Sequence, residues 1–536
     1  MCTTRFSTMG ILGWLVLFSG GARAQLVDCD LAYVDPAVVP NGCVMKTLME
    51  QIGEGQGDIT LYGSSIYLIK RDPARSVRRG RQLFQRKFSA YEGLGPRVNY
   101  ESVGDIVDSR ALGAGLTDSC AACHGRPKGS AGFGGDVATR PDSRDAPHLF
   151  GLGLVEQLAD EMTTELRSNR SAAIELAEDT GRSQRRELRA KGVRFGVLTA
   201  NPDGSVQTGE VEGVDADLRV RPFFHHGQTA SIREFIIGAF KDEMGLQAWD
   251  PVLCSVTDSQ NPQAKVSASG FKYDPALDNF ERPPLCDATV DADEDGVVAE
   301  VDPALVDHME FYLLNYFKPG SYRTNRETDR GRDILRNIGC TGCHKADLRI
   351  ESDRRIADVE TVYDPVNGIF NDLFATASTR FDVVEDGEAY PLLLPQLQPF
   401  VVRDIFSDFK RHNLGPAFYE REYDGSLVTD FVTEPLWGVG STTPYGHDGR
   451  SINLDAVIRR HGGEASASAK RYARLNPRDQ SQLLAFLQSL VLFPPDDTAS
   501  NLNPGDAADV EGVQTPSSHG SINLGALFQI PEEGAE

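Results

Sequence analysis

Two short segments place two cysteines and a histidine at a spacing that can do chemistry: Cys-Ala-Ala-Cys-His at 120–124 and Cys-Thr-Gly-Cys-His at 340–344. Residues i, i+3 and i+4 share one face of a helical turn. Both thiols can therefore reach the vinyl groups of one porphyrin while the histidine rises to the iron. We read Cys120, Cys123, Cys340 and Cys343 as attachment points for two covalent haem c groups, with His124 and His344 as proximal iron ligands. A dithiol redox site has no need of the trailing histidine, and a zinc site needs a second ligand pair close by.

The motifs lie 220 residues apart, and a second pair of segments echoes at 222. "PFFHHGQTASIREFIIGAF" begins at Pro222 and "PYGHDGRSINLDAVIRRHGG" at Pro444, aligning His225 with His447 and Gly227 with Gly449. Each half thus runs haem motif, about a hundred residues, P-[FY]-x-H-x-G and then an amphipathic helix, which reads as duplication of one domain. In the second half Leu454, Val457, Ile458 and His461 fall at helical spacing on one stripe. His461 is therefore the candidate sixth ligand of the second iron. The equivalent position in the first half is Ala239, which cannot ligate, so the first iron keeps an open place. One turn further along that stripe comes Glu243. A carboxylate on an apolar helix face is expected to have a raised pKa and to exchange protons near neutral pH. His226 aligns with Asp448 and reads as a loop residue near the surface.

The elements that must position these groups follow from length and patterning. At 536 residues the chain has room for two or three domains. The expected fold is mainly α, with two cytochrome c-like haem domains from an internal duplication and small β-hairpin insertions. One such hairpin turns at Asn201–Gly204 in "VLTANPDGSVQT". Residues 1–24 read as a signal peptide, with an apolar run at 11–18 and a small-x-small ending at 22–24. Residues 25–79 are an N-terminal extension, 80–250 the first haem domain, 251–305 an insertion, 306–495 the second haem domain and 496–536 a flexible tail. No later stretch is apolar enough to span a membrane, so the expected location is periplasmic or secreted. A net charge of −24 argues against a nucleic-acid partner. In an oxidising compartment the near pairs Cys29 with Cys43 and Cys254 with Cys286 read as disulfides.

Taken together, "SCAACHGRP", "APHLFGLGLVEQL", "IREFIIGAFKDEMG", "IGCTGCH", "FSDFKRHNLGP", "TEPLWGVGSTTPYGHDGRS" and "HGGEA" resemble the bacterial dihaem cytochrome c peroxidase superfamily. They are most similar to its di-haem oxidoreductase branch and spread from about residue 80 to 495. The resemblance implies that Glu243, before Met244, is the acid/base group and that His461 is the sixth ligand of the electron-relay haem. It also implies that His225 stands where many relatives carry an inter-haem tryptophan, which makes His225 a candidate catalytic residue and leaves Trp249 and Trp437 as the tryptophans of the mature chain. The segment "GGDVATRPDSRDAP" lacks the distal histidine of simple peroxidases, so the first haem is expected to be open without reductive activation. His148 reads as structural.

"DADEDGVVAEVD" (291–302) resembles a calcium loop, with Asp291, Asp293, Asp295 and Asp302 as candidate Ca2+ ligands. His412, beside Arg411, is a candidate for orienting a haem propionate or for an alternative iron ligand. The functional expectation is a peroxidase-type oxidoreductase that takes peroxide or another small oxidant at the first haem and electrons from a redox partner protein through the second. The alternatives are a non-catalytic dihaem electron carrier and a dihaem oxygenase or protein-modifying enzyme.

Overall fold

The computed structural model describes residues 59–89, 92–94, 117–124, 145–283, 285–291, 297–298, 300–315, 318–321, 324–363, 373–422 and 425–492. The expected signal segment, the Cys29–Cys43 pair, the loop after the first motif, Asp293 and Asp295, and the tail lie outside these residues.

Most of the helices start where the sequence supplies caps. Helix α1 (Ser65–Arg71) opens on Ser64, and α2 (Pro73–Gln85) on Asp72 with proline at its first position. The first motif forms α3 (Cys120–His124), followed by the long α4 (Leu152–Thr180), which ends on left-handed Gly181. The strands β1 (Gln184–Ala190), β2 (Val193–Ala200) and β3 (Val206–Val211) then form an antiparallel sheet whose second turn is the expected hairpin after Ala200. A capping box between Ser231 and Glu234 opens α5 (Ile232–Ala239). The Asp/Asn-Pro start recurs in α6 (Pro251–Val256), in α7 (Pro303–Leu314) and in the last helix, because proline loses no hydrogen bond in the first turn while the carboxyl or amide caps it. The second half holds α8 (Arg326–Asn337), α9 (Leu454–Arg460), α10 (Ser466–Ala473) and α11 (Pro477–Gln488).

Each half is closed by one pair of crossing helices, and a glycine sets each approach. A Cβ on Gly80 of α2 would sit 2.1 Å from the His308 carbonyl of α7; one on Gly331 of α8 would sit 2.1 Å from the Gln482 carbonyl of α11. Phe84 packs on Tyr312 across the first crossing, and Ser76 bonds His308 there. The boundaries expected at 80 and 305 therefore fall within this helix pair, because its partners are drawn together by packing rather than by sequence proximity.

Two apolar clusters result. The larger joins α2, α4, α5, α7 and the β1–β3 sheet; the smaller joins α8, α9, α10 and α11 around Phe406 and Tyr472. Helix accounts for about 37% and strand for about 19%, so helix dominates but the β-structure exceeds small hairpin insertions. Among the described residues there are seven two-stranded ladders besides the three-stranded sheet. A disulfide joins Cys254 to Cys286. No helix among the described residues is long and apolar enough to cross a membrane.

A buried ionic knot fixes α5. Arg233, fully buried, bonds Asp250 at 2.7 Å and reaches Asp307 at 2.7 Å and Glu310 at 2.9 Å on α7. This cation ties the helix that faces the first motif to the crossing pair behind it.

Candidate functional site

The repeat seen in the sequence is repeated in backbone detail. The loops after Pro222 and Pro444 are each closed by an antiparallel bridge, Phe223 to Thr229 and Tyr445 to Ser451. Gly227 and Gly449 both take positive φ, at +66° and +62°. Ser231 and Asn453 cap the helices that follow, α5 and α9, which begin at Ile232 and Leu454.

At the first motif, the His124 ring donates from Nδ1 to the Pro147 carbonyl at 2.7 Å. That bond fixes the tautomer and turns the Nε2 lone pair outward, as an iron-binding imidazole requires. Burial pushes the His124 pKa down, keeping the ring neutral. Phe235 of α5 packs edge-on against it at 6.4 Å. Cys120 and Cys123 are not joined in a disulfide, and burial pushes Cys120 up to about 12. The charge of Glu243 acts on the Cys123 thiol, after burial the largest influence raising it. Glu243 is not on a continued α-helical stripe: beyond Ala239 the helix widens into a π-turn, Phe240–Met244, stopped by left-handed Gly245. The π-turn still delivers the carboxylate to the first motif.

The second motif repeats the arrangement. The His344 Nδ1–H donates to the Phe406 carbonyl at 2.9 Å, and burial lowers its pKa to about 4. Burial pushes Cys340 up to about 11. His461 is the residue that ends α9, and its Nδ1–H donates to the Val457 carbonyl at 2.7 Å, leaving Nε2 available. His461 is close enough to His344 to depress its protonation. The sequence-expected proximal and sixth ligands of the second site thus come together.

His412 has a different environment from the one expected. Its Nδ1 faces Glu464 at 2.8 Å and its Nε2 faces Asp408 at 3.0 Å. Burial disfavours charge on the ring, but the hydrogen bonds and charges of its neighbours outweigh it, and the pKa rises to about 11. Cys343, Asp408 and His412 lie within ligand distance of one another. With a carboxylate facing each nitrogen, the ring favours the doubly protonated, ion-paired form beside the Cys343 sulfur.

Between the motifs the two repeat loops meet. His225 and His447 rings are 5.8 Å apart, and His447 stacks on Phe431 at 4.1 Å. His226 is buried and bonds the buried Glu420 at 2.9 Å. That corrects its expected surface place: Phe431 and Glu420 come from segments the repeat alignment does not cover. His148 donates from Nε2 to the Trp437 carbonyl at 3.0 Å, which bears out a structural role; its buried Nδ1 has no partner. Asp302, expected as a calcium ligand, caps α7 by accepting from the Ala304 N–H at 2.7 Å. Asp291 is half-buried, and the middle of that loop lies outside the described residues.

The residues fit covalently held haem. None of the four motif cysteines is in a disulfide, both motif histidines are anchored at Nδ1, and His148, near enough to His124 to have its own protonation depressed by it, keeps a buried orphan nitrogen at Nδ1. Sequence reasoning missed Glu420, Glu434, Phe418 and Phe431, for which no local signal exists.

No curated protein matches the chain. Among solved structures, a MauG-like protein associated with microbial copper homeostasis is similar at 13% identity and a TM-score of 0.28, covering 77% of this chain and 88% of that one. Residues 396–490, a stretch that holds His412, Trp437, His447 and His461, match the family model described as "di-haem oxidoreductase, putative peroxidase", in line with the family that the sequence resembles.

Proposed function

We propose that the protein is an exported di-haem c-type oxidoreductase of peroxidase type, built as two cytochrome c-like units. It reduces peroxide or another small oxidant at the first motif and accepts electrons from a redox partner protein at the second. Two haem c groups, joined to Cys120 and Cys123 and to Cys340 and Cys343, supply the redox chemistry when bound. The observation that carries the reading is the shared anchoring of His124 and His344 through Nδ1 to distant carbonyls. A dithiol exchange site has no use for it, and thiols pushed up to about 12 and 11 lack the thiolate such exchange needs.

The two sites differ in what faces them. His461 offers Nε2 to the second site, whereas the equivalent of His461 in the first half is Ala239, the last residue of α5. The first site is thereby left open to a small oxidant. Reduction of peroxide to two waters consumes two electrons and two protons, and Glu243 is the carboxylate that would hold and release those protons beside the first motif. His344 and His461 stay neutral, as ligation demands.

Paramagnetic resonance of the oxidised protein, with haem counted by pyridine haemochrome, tests this. One high-spin and one low-spin haem are expected, and His461→Ala converts the low-spin signal to high-spin. Two low-spin signals, unchanged by reduction and peroxide, would overturn the enzyme reading.

A further inference from the structure

The contact between His225 and His447 joins equivalent positions of the repeat, and the loops are cross-tied. The Val432 N–H donates to the His225 carbonyl at 2.9 Å, and the Asp145 N–H to the His447 carbonyl at 2.7 Å. Both rings are buried. His225 faces acceptors on both sides: Nδ1 lies 3.0 Å from Glu434 and Nε2 lies 3.1 Å from the Asp145 carbonyl. A carbonyl and an ionised carboxylate only accept, so a doubly protonated ring satisfies both. His447 has a poorer offer. Its Nε2 is 3.8 Å from a Glu420 oxygen that already bonds His226, and burial, then the charge on His225, push its pKa down.

Two imidazolium rings at this distance, away from water, repel each other. The pair therefore accommodates one added charge readily and a second only when negative charge arrives nearby. The charged groups facing it are Glu434, Asp145, Glu420, His226, Asp448 and Arg460, the last two paired with each other. Burial lifts the Asp145 pKa to about 6, against the opposing charge of His225. Glu434, 52% exposed, links His225 to solvent.

The pair also lies between the two sites. Ring contacts run from His124 to Phe235 at 6.4 Å and from Phe235 to Phe224 at 5.3 Å, next in sequence to His225. On the other side they run from His447 to Phe418 at 6.1 Å and from Phe418 to His461 at 5.5 Å.

We propose that His225 and His447 form a shared-proton pair that binds one proton from solvent, by way of Glu434, when an electron enters either site, and releases it when the electron leaves. The inference rests on the di-haem reading above. The balance is one electron from the redox partner and one proton from water, with no other bond made or broken at the pair.

Spectroelectrochemical titration of the holoprotein from about pH 5 to 8, where histidine charge changes, is the test. Wild-type midpoint potentials should fall as pH rises. His447→Phe, which keeps a ring but offers no proton site, should flatten that dependence, as should His225→Gln. Glu434→Gln, at an exposed position that folding tolerates, should move the pH at which the dependence appears. Potentials independent of pH in the wild type, or an undiminished dependence in His447→Phe, would overturn the pair. A wild-type protein carrying fewer than two haems would instead refute the di-haem reading.

Discussion

Replacing Arg233 by methionine keeps most of the side-chain volume and removes one charge from a fully buried site. The guanidinium is fully buried and faces Asp250, Asp307 and Glu310, whose side chains are 0%, 2% and 1% exposed. Breaking a buried ion pair by deleting one partner costs about 3–5 kcal/mol, because the other charge is left uncompensated. Here three carboxylates lose their common cation, and they limit the loss by binding protons. That gives the deficit a pH dependence whose sign is fixed. Burial already raises Glu310 to about 7 and raises Asp307, with Arg233 opposing both. In Arg233→Met the folded-state values rise further above those of the unfolded chain. Stability from such groups is present below the unfolded pKa and is lost as pH rises through the folded one. The variant should fall short of the wild type by about 3–5 kcal/mol near pH 8. The gap should narrow toward pH 5 by up to about 1.4 kcal/mol per pH unit for each extra proton bound. Urea unfolding followed by circular dichroism at matched haem content measures it. A deficit below about 1 kcal/mol, or one that does not change with pH, would refute the argument that this arginine neutralises buried charge.

Gly331→Val should destabilise the α8–α11 crossing by at least about 1–3 kcal/mol, since its Cβ would sit 2.1 Å from the Gln482 carbonyl; Gly209→Ala, with nothing within 4 Å of the added carbon, should leave the melting temperature unchanged. Glu243→Gln should lower peroxide turnover by about a hundredfold or more while leaving both haem spectra intact, and undiminished turnover removes Glu243 from proton transfer. His412, with a folded pKa of about 11 against 6.5 for a free ring, adds stability that is complete below 6.5 and lost as pH rises toward 11. Its replacement by glutamine should therefore flatten the decline of melting temperature above neutral pH, and parallel wild-type and variant curves would contradict the ion-paired assignment.

Much of this protein is legible in its sequence, because the features concerned are local. The spacing of Cys120, Cys123 and His124 is a property of one helical turn, as are the Asp-Pro and Asn-Pro helix starts, the hairpin after Ala200 and the glycine-marked repeat loops. His461 was legible from one apolar stripe, and Ala239 from the repeat offset. The tertiary structure decided what faces those elements. The carbonyls that orient His124 and His344 come from Pro147 and Phe406, 23 and 62 residues downstream. Whether a hydrogen bond forms across such a span depends on packing, to which sequence spacing is blind. The burial of His226 against Glu420, the ion-paired state of His412 and the meeting of His225 with His447 across 222 residues have the same origin. Each depends on which surfaces two apolar clusters bring together, and on the cost of burying charge without a partner.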